Sequence, residues 1–320
     1  MAVFLFPGQG SQFTGMGMDL LRADADGSAG VRSLFDAASA LRGSPVEELL
    51  NADAEILKRT DSSQIAITVV SLAAARVLKA RGLSPAACAG FSLGEYPALA
   101  VSGVLSEEDC IKIILERGRI MQAAADEIAA RAASGAAPGM AAVLGLSSDV
   151  VDSVLESLSS ASADVFAANY NSPLQTVISG TSEGLSRAEA ALKEAGTRRV
   201  LRLKVAGPFH SPLMASAGEE FAKVLENIEF RDPVLPLFSN VTGQRVASGA
   251  EARKNAVLHI SSPVRWTTEE SSIAALMGGL NINRLVEAGP GKVLSGLWAD
   301  SGNPGTCVLY TDFIPVSAQS

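Results

Sequence analysis

Short apolar runs alternate with helical patterns at both ends of this 320-residue chain. The apolar runs predict buried strands, and apolar positions at helical spacing predict helices. Strands that alternate with helices are typical of a parallel sheet. The predicted strands are residues 3–6, 86–89, 234–238, 284–287 and 306–309. A helix is predicted over 63–80, with Asp61, Ser62 or Ser63 as N-cap candidates. A second helix is predicted to begin after Ser106 and to run past Met121.

The pattern changes between residues 131 and 205. A flexible Ala/Ser/Gly/Pro stretch at 132–139 comes before a strand, a helix, two strands, a helix and a strand. Such a βαββαβ order is typical of a ferredoxin-like unit. We therefore predict a large α/β catalytic domain formed by residues 1–131 and 206–320, with a small domain, residues 132–205, inserted into it.

Composition and charge narrow the function classes. The formal charge of −8 and the pI near 5.0 argue against general nucleic-acid binding, and an anionic partner would need a local basic patch. The densest such patch is formed by Arg198, Arg199, Arg202 and Lys204.

The cysteines and the N-terminus indicate a compartment. The chain has three cysteines, far apart in sequence and without metal-binding spacing, which predicts reduced thiols and no metal site. The first apolar run, residues 2–6, is too short for a signal peptide or a membrane span. We expect a cytoplasmic protein. A plastid or another organelle stays open, since a removed transit peptide leaves no trace.

Two G-x-S-x-G matches offer a nucleophilic serine, at Ser92 and at Ser182. In this motif the serine lies on a sharp strand-to-helix turn, where side chains at the glycine positions would clash. The helix after Ser92 is apolar, as a buried central helix should be, whereas the helix after Ser182 has the pattern of a half-exposed surface helix. Ser92 is therefore the nucleophile candidate, and Thr181 or Ser182 is interpreted as a helix cap.

A serine nucleophile needs a neighbouring base. If that base is a histidine, the candidates are His210 and His259, because the chain has two histidines. His210 lies between a predicted strand and the next helix, a placement common for catalytic groups, whereas His259 lies in a helical stretch. The pattern favours His210 and leaves His259 open.

Seven segments, in the same order, resemble one family: the malonyl-CoA:acyl-carrier-protein transacylases of fatty acid synthesis, with the related acyltransferase domains of polyketide synthases. Several motifs in order over nearly the whole chain are far more specific than any one of them. The segments are Phe6-Pro7-Gly8-Gln9-Gly10-Ser11-Gln12, Gly90-Phe91-Ser92-Leu93-Gly94-Glu95-Tyr96, Arg117-Gly118 with Met121-Gln122, Asn169-Tyr170-Asn171-Ser172-Pro173, Gly207-Pro208-Phe209-His210, Ser262-Pro263-Val264-Arg265-Trp266 and Glu287-Ala288-Gly289-Pro290-Gly291-Lys292-Val293.

The resemblance implies a hydrolase-like parallel-sheet large domain with an inserted ferredoxin-like small domain. It implies Ser92 as the nucleophile and His210 as its base. The backbone N–H groups of Gln9 and Leu93 would form the oxyanion hole, where donors stabilise charge that develops in the transition state. Arg117 would bind the malonyl carboxylate; its helix is mostly apolar, so an inward arginine needs an anion.

Further roles follow from the same resemblance. Phe209 before His210 is similar to the malonyl-selecting members, and Asn171 and Arg199 would bind substrate, Arg199 at the phosphate end of the pantetheine donor. The chain departs from the family at Phe91, where many members have His. It also departs at His259, where the family usually has Gln whose backbone carbonyl orients the catalytic histidine.

The implied substrates are malonyl-CoA and phosphopantetheinylated acyl carrier protein, with no cofactor and no metal. The expected partners are acyl carrier protein, bound transiently, and the coenzyme A thioester; we expect no nucleic acid, no membrane and a monomer. Three alternatives stay open at this point: an esterase or thioesterase with the same catalytic residues, a polyketide acyltransferase acting in trans, and an inactive scaffold that docks carrier proteins.

Overall fold

The computed structural model describes residues 1–132, 137–159 and 164–314. The strands within these residues are β1 Ala2–Phe6, β2 Pro85–Gly90, β3 Gly139–Leu144, β4 Val165–Ser172, β5 Gln175–Gly180, β6 Arg199–Arg202, β7 Arg284–Glu287 and β8 Thr306–Leu309. The helices are α1 Met18–Ala23, α2 Val31–Arg42, α3 Val46–Leu50, α4 Ala54–Lys58, α5 Thr60–Ala80, α6 Glu95–Val101, α7 Glu107–Ala130, α8 Ser148–Ser159, α9 Ser182–Glu194, α10 Ala215–Leu225, α11 Gly249–Leu258, α12 Trp266–Leu280 and α13 Val293–Ser301.

The larger sheet is parallel, with strand order β2-β1-β7-β8. Every residue of β1 is fully buried, which explains why this strand is an uninterrupted apolar run rather than an alternating one. Strands alternate with helices along this part of the chain, so the predicted α/β fold is confirmed.

The predicted strand at 234–238 is wrong as a ladder strand. This segment lies beside β2 through two hydrogen bonds, from Cys88 N–H to the Pro236 carbonyl (2.8 Å) and from Phe238 N–H to the Cys88 carbonyl (3.3 Å). Pro236 has no N–H to donate, so a regular ladder cannot continue past it.

The smaller sheet is antiparallel, with strand order β4-β5-β3-β6. Helices α8 and α9 supply Val151, Leu155, Leu185, Ala188 and Leu192 to the apolar core of this sheet. The order along the chain is βαββαβ, as predicted for a ferredoxin-like unit. Its strands all lie within 132–205, but the boundaries themselves stay predictions; of the predicted flexible stretch 132–139, residues 133–136 lie outside the described residues.

The two sheets meet through the segment at Val264. The Val264 N–H donates to the carbonyl of Ala168 (2.8 Å), and the Tyr170 N–H donates to the carbonyl of Val264 (2.9 Å). This pairing fixes β4 against the larger sheet and brings the asparagines of β4 to the cleft between the sheets.

Helix α5 forms the centre of the larger core. Its length and composition would suffice for a membrane span, but 83% of its most apolar stretch is buried inside the protein. We interpret it as a core helix. None of the predicted N-caps is its cap: the helix begins at Thr60, whose N–H donates to the side-chain oxygen of Gln122 (2.9 Å). A tertiary amide thus does what a local cap normally does.

Candidate active site

Ser92 lies on a sharp turn between β2 and α6. Its φ is +50°, a left-handed conformation that costs a non-glycine residue on the order of 1–3 kcal/mol. The flanking glycines are required by space: a Cβ on Gly90 would lie 1.9 Å from the Gly94 carbonyl oxygen, and a Cβ on Gly94 would lie 1.9 Å from that of Phe6. The structure therefore has the nucleophile elbow that the motif predicts.

Ser182 has a different environment. The side chain of Thr181 accepts a hydrogen bond from Gly184 N–H (3.0 Å) and caps α9, whose first residue is Ser182. The second G-x-S-x-G match is therefore the start of a capped helix, as the sequence pattern after Ser182 predicts.

His210 stands next to Ser92. Its Nε2 lies 2.7 Å from Ser92 Oγ, and its Nδ1 lies 2.9 Å from the carbonyl oxygen of His259 and 3.2 Å from that of Ser262. Carbonyl oxygens only accept, so the neutral ring carries its proton on Nδ1. The Nε2 lone pair therefore faces the hydroxyl of Ser92, and the pair has the geometry of a nucleophile and its base.

Burial keeps this imidazole neutral. Loss of water, followed by the nearby positive charge of Arg117, lowers the pKa of His210 to about 4, although the two carbonyls at Nδ1 oppose the shift. A histidine with this pKa is an available base at neutral pH.

This shift predicts an unusual acid limb. Because His210 must be neutral to accept the proton, acylation by substrate should hold its rate as the pH falls through 6.5 and decline only as the pH approaches about 4. The measurement is the pH profile of single-turnover acylation. His210→Ala should be slower by roughly 100- to 10,000-fold and should lack this limb. A parent profile that bends near 6.5 would mean that the histidine is not shielded from water.

Ser92 and His210 open into a cavity of about 360 Å³ between the two sheets. Its walls come from the loop after β1, from α5 and α7, from β3, β4 and β5, and from the chain between β6 and His210. The residues around it are Gly8, Gln9, Gly10, Gln64, Phe91, Ser92, Arg117, Met121, Met140, Asn169, Asn171, Gln175, Val177, Leu203, Lys204, Val205, Phe209, His210, Val293 and Leu297.

Arg117 reaches the cavity from α7 although it is only 1% exposed. Its guanidinium carbon lies 5.1 Å from the centroid of the Tyr96 ring. Among the described residues, its Nε and Nη2 find no hydrogen-bond partner. A buried cation with unused donors is costly unless it meets an anion, and the planar fork of arginine matches a carboxylate. This arrangement suits the predicted role of Arg117 in binding a carboxylate, which stays a prediction.

The predicted oxyanion hole is compatible with the backbone around Ser92. Gln9 is half-buried on the cavity wall, and Leu93 follows Ser92 in the elbow. The N–H of Ser92 itself donates to Oδ1 of Asn240 (2.5 Å), so it is not available to substrate. The roles of Gln9 and Leu93 stay predictions.

The remaining predicted substrate residues divide into two groups. Phe209 and Asn171 are buried on the cavity wall, and Asn171 Oδ1 has no partner among the described residues. Arg199 is exposed at the start of β6, opposite Leu144, which in turn pairs with Gln175 of the cavity wall. That position lies roughly 13 Å along the sheet from Met140. Of the basic patch, the cavity wall in the described structure includes Lys204 but not Arg199; the role of Arg199 stays a prediction.

His259 follows the last residue of α11, and its carbonyl holds Nδ1 of His210. The ring is fully buried, 5.1 Å from the His210 ring centroid, with Nδ1 3.7 Å from a carboxyl oxygen of Glu95. Burial, followed by the neighbouring His210 and Arg117, holds the pKa of His259 well below its usual value, so the ring is neutral. Of the two histidines left open by the sequence, the structure places His210 at Ser92.

Replacing the His259 ring should have little effect. A His259→Gln variant keeps the backbone carbonyl that orients His210, and its amide can donate to Glu95. We therefore expect kcat/KM within a few-fold of the parent, in contrast to His210→Ala. Steady-state kinetics of the two variants make this comparison. Collapse of activity in His259→Gln would assign the imidazole itself a part in the reaction.

Sequence reasoning missed Asn240, which hydrogen-bonds to the elbow. It stands in a loop after the 234–238 segment, and no local pattern marks it, because its importance depends on a contact 148 residues away.

Comparisons with known proteins identify the family of this chain. Residues 3–282 match the family model described as the acyl transferase domain. The malonyl CoA-acyl carrier protein transacylase of Bacillus subtilis is 38% identical over 92% of this chain and 88% of its own length. The crystal structure of an acyl carrier protein S-malonyltransferase from Vibrio cholerae has a TM-score of 0.85 at 35% identity and covers 96% of this chain and 95% of its own.

A third match is a malonyl-transacylase solved in complex with a type II polyketide synthase acyl-carrier protein. It has a TM-score of 0.83 at 34% identity and covers 96% of this chain and 94% of its own. The shared fold includes the parallel sheet and the separate antiparallel sheet, and the resemblance noted in the sequence is confirmed. The chain belongs to the acyl transferase domain family and, within it, to the malonyl CoA-acyl carrier protein transacylases.

Proposed function

We propose that this protein is an acyltransferase that moves a malonyl group from coenzyme A to the phosphopantetheine thiol of acyl carrier protein, through an acyl-enzyme on Ser92. One observation carries the proposal: a nucleophile–base pair 2.7 Å apart shares a cavity with a buried arginine whose Nε and Nη2 have no partner within the described residues. The pair supplies acyl transfer, and the arginine selects an acyl group that bears a carboxylate.

The geometry gives two half-reactions. In the first, Ser92 Oγ attacks the thioester carbonyl while His210 Nε2 takes its proton; the tetrahedral oxyanion collapses, and the coenzyme A sulfur leaves with the proton from Nε2. In the second, the phosphopantetheine thiol gives its proton to Nε2 and attacks the malonyl ester, and Ser92 Oγ recovers the proton as it leaves. Within the protein, Ser92 and His210 alone exchange protons in this scheme, and the proton that leaves with coenzyme A is replaced by the one from the phosphopantetheine thiol.

Relatives support the carrier-protein half of this scheme. The Bacillus subtilis relative is named malonyl CoA-acyl carrier protein transacylase. We propose that the transfer performed by this chain serves fatty acid synthesis. The structure with a polyketide synthase carrier protein favours a second candidate, a polyketide acyltransferase acting in trans. Rates with purified fatty acid and polyketide carrier proteins distinguish these two pathways.

Incubation with malonyl-CoA alone tests the acyl-enzyme. The intact protein should gain the mass of one malonyl group, and peptide mapping should place that group on Ser92. A hydrolase with the same residues would release free malonate and accumulate less adduct. An adduct on another residue, or none at substrate excess, would contradict the proposal.

The setting is part of the proposal. We propose a cytoplasmic monomer that binds carrier protein transiently and needs neither cofactor nor metal. Three free cysteines support a reducing compartment; Cys88 and Cys110 are buried and Cys307 is half-buried.

The basic patch provides a test of the anionic partners. Reversing Lys204 and Arg199 to Glu should raise the KM for carrier protein or coenzyme A thioester, and the parent's rate should fall as salt is added. Lys204→Glu should have the larger effect, because Lys204 borders the cavity. Lys112→Glu, which changes an exposed residue of α7 paired with Glu108, controls for net charge. Unchanged KM values in both patch variants would make the patch an ordinary solvated surface.

A further inference from the structure

Asn240 lies directly behind the elbow and is fully buried. Its Oδ1 accepts the Ser92 N–H at 2.5 Å, and its Nδ2 donates to the Gly90 carbonyl at 2.6 Å. One side-chain amide therefore binds the chain on both sides of Phe91, at the last residue of β2 and at the nucleophile.

The other polar groups of Asn240 are also occupied. Nδ2 donates to a carboxyl oxygen of Glu269 (2.7 Å), the backbone N–H donates to Glu95 (2.9 Å), and the carbonyl accepts from Arg265 N–H (2.8 Å). These bonds fix the amide orientation, because a flipped amide would turn N–H groups toward the Ser92 N–H. Asn240 is therefore fixed in place by hydrogen bonds of its side chain and of its own backbone.

The sheet cannot supply this support. The ladder between β1 and β2 ends at Phe6 and Gly90, with one more bond from Phe91 N–H to the Phe6 carbonyl (2.9 Å). The next N–H is that of Ser92, in a left-handed conformation at φ +50°. Such a conformation persists only where the surroundings determine it, and the hydrogen-bond partner of this N–H is Asn240.

We propose that Asn240 is a positioning residue for acylation: it holds the main chain of Ser92 so that Oγ lies at His210 Nε2. The inference rests on the proposed acyl-enzyme at Ser92. Asn240 acts through Ser92, since it is not one of the residues around the cavity in the described structure.

Removing the amide should slow the chemical step and leave binding intact. A misplacement of about 1 Å costs roughly 100-fold in rate, so Asn240→Ala should lower the maximal single-turnover rate of malonyl-enzyme formation by roughly that factor. The malonyl-CoA concentration that gives half of the maximal rate should stay at the parental value. Quenched-flow intact mass measures both quantities.

Asn240→Asp gives a readout that loss of structure would not produce. The carboxylate keeps the acceptor for Ser92 N–H but has no donor for the Gly90 carbonyl; protonation restores one donor. The rate of this variant relative to the parent should therefore rise as the pH falls from 8 to 5, while the Asn240→Ala ratio stays flat. The titratable and charged groups around this position are Glu95, Glu269, Glu270, His210, His259 and Arg117.

Two of these groups lie against Asn240 and favour proton uptake. Burial raises the pKa of Glu95 to about 7, although the hydrogen bond from the Asn240 N–H lowers it. Burial, together with the negative charge of the neighbouring Glu95, raises the pKa of Glu269. A third carboxyl placed between them should likewise take a proton within the range tested.

Asp24→Ala is the matched control. Asp24 is also buried, and its carboxylate accepts from Ala29 and Val31 N–H (both 2.7 Å), outside the cavity wall of the described structure. We expect a lower Tm with the parental acylation rate.

The outcomes separate the two proposals. Parental labelling of Ser92 with an unchanged rate in Asn240→Ala, or an equal loss of rate in Asp24→Ala, would overturn the inference alone. No labelling of the parent would contradict the proposed function and, with it, the inference. If Asn240→Ala does not fold, the acylation rate of Asn240→Asp relative to the parent decides. A rise of this relative rate toward pH 5 supports the inference, and a relative rate that does not change with pH overturns it.

Discussion

Ser92→Ala should abolish the covalent adduct formed with malonyl-CoA and lower malonyl transfer by at least roughly a thousand-fold. The reason is geometric: Ser92 Oγ is the atom held 2.7 Å from His210 Nε2, and a methyl group cannot form the ester. Without Ser92 the cavity can still bind the substrate and stabilise the oxyanion, but water is then the nucleophile that remains. Intact mass after incubation and the rate of malonyl transfer measure the two effects.

Ser182→Ala is the control for this variant. It changes the serine of the second G-x-S-x-G match, which lies at the N-terminus of α9 behind the Thr181 cap. We expect the parental adduct and the parental rate. An adduct that persists in Ser92→Ala, or disappears in Ser182→Ala, would remove Ser92 from the reaction.

Arg117→Ala should invert the preference for malonyl over acetyl. A malonyl carboxylate loses water on entering the cavity, and without the arginine it is left buried and unpaired, at a cost of about 3–5 kcal/mol. This corresponds to a loss of roughly a hundred- to several-thousand-fold in kcat/KM for malonyl-CoA. The neutral acetyl group carries no such cost, so its transfer should be retained or improved. The malonyl-to-acetyl ratio of kcat/KM in parent and variant tests this.

Two further variants define the role of Arg117. Arg117→Lys should restore only part of the malonyl rate, because an ammonium has charge without the planar fork. Arg119→Ala changes a half-exposed residue on the same helix, paired with Glu116 and Glu220 (both 2.9 Å), and should leave the ratio unchanged. Equal losses for both substrates in Arg117→Ala would make the residue structural, and no loss for either substrate would make Arg119 the candidate.

The sequence predicts those parts of the site that local geometry determines. The elbow at Ser92 is visible because glycine is required at two fixed positions, and the apolar helix after it distinguishes it from the capped helix at Ser182. The parallel sheet is visible in the alternation of apolar runs with helices. The inserted antiparallel sheet is visible in its βαββαβ order.

The missed features depend on contacts between distant residues. The start of α5 is determined by Gln122 rather than by a nearby cap, and the segment at 234–238 fails as a strand because Pro236 cannot donate. Asn240 belongs to the same class. Its amide binds a turn from another part of the chain, and no periodicity or local motif encodes such a contact.

The basic patch shows a further limit. The four cations at 198–204 are close in sequence, but they lie at different places along one edge strand and beyond its end. Strand pairing aligns Arg199 with Leu144 and, one strand further, with Gln175 of the cavity wall, whereas Lys204 lies on that wall itself. Which cation can reach a substrate is therefore a question of register that charge density alone does not answer.

Discharge of the malonyl-enzyme is the direct test of transfer to a carrier protein. The enzyme is loaded with malonyl-CoA, freed of excess thioester and mixed with either phosphopantetheinylated acyl carrier protein or buffer, and the loss of the adduct is followed by intact mass. We expect carrier protein to remove the malonyl group much faster than water does and to gain it in equal amount. Equal rates of loss with and without carrier protein, with free malonate as the product, would contradict it and make the protein a hydrolase.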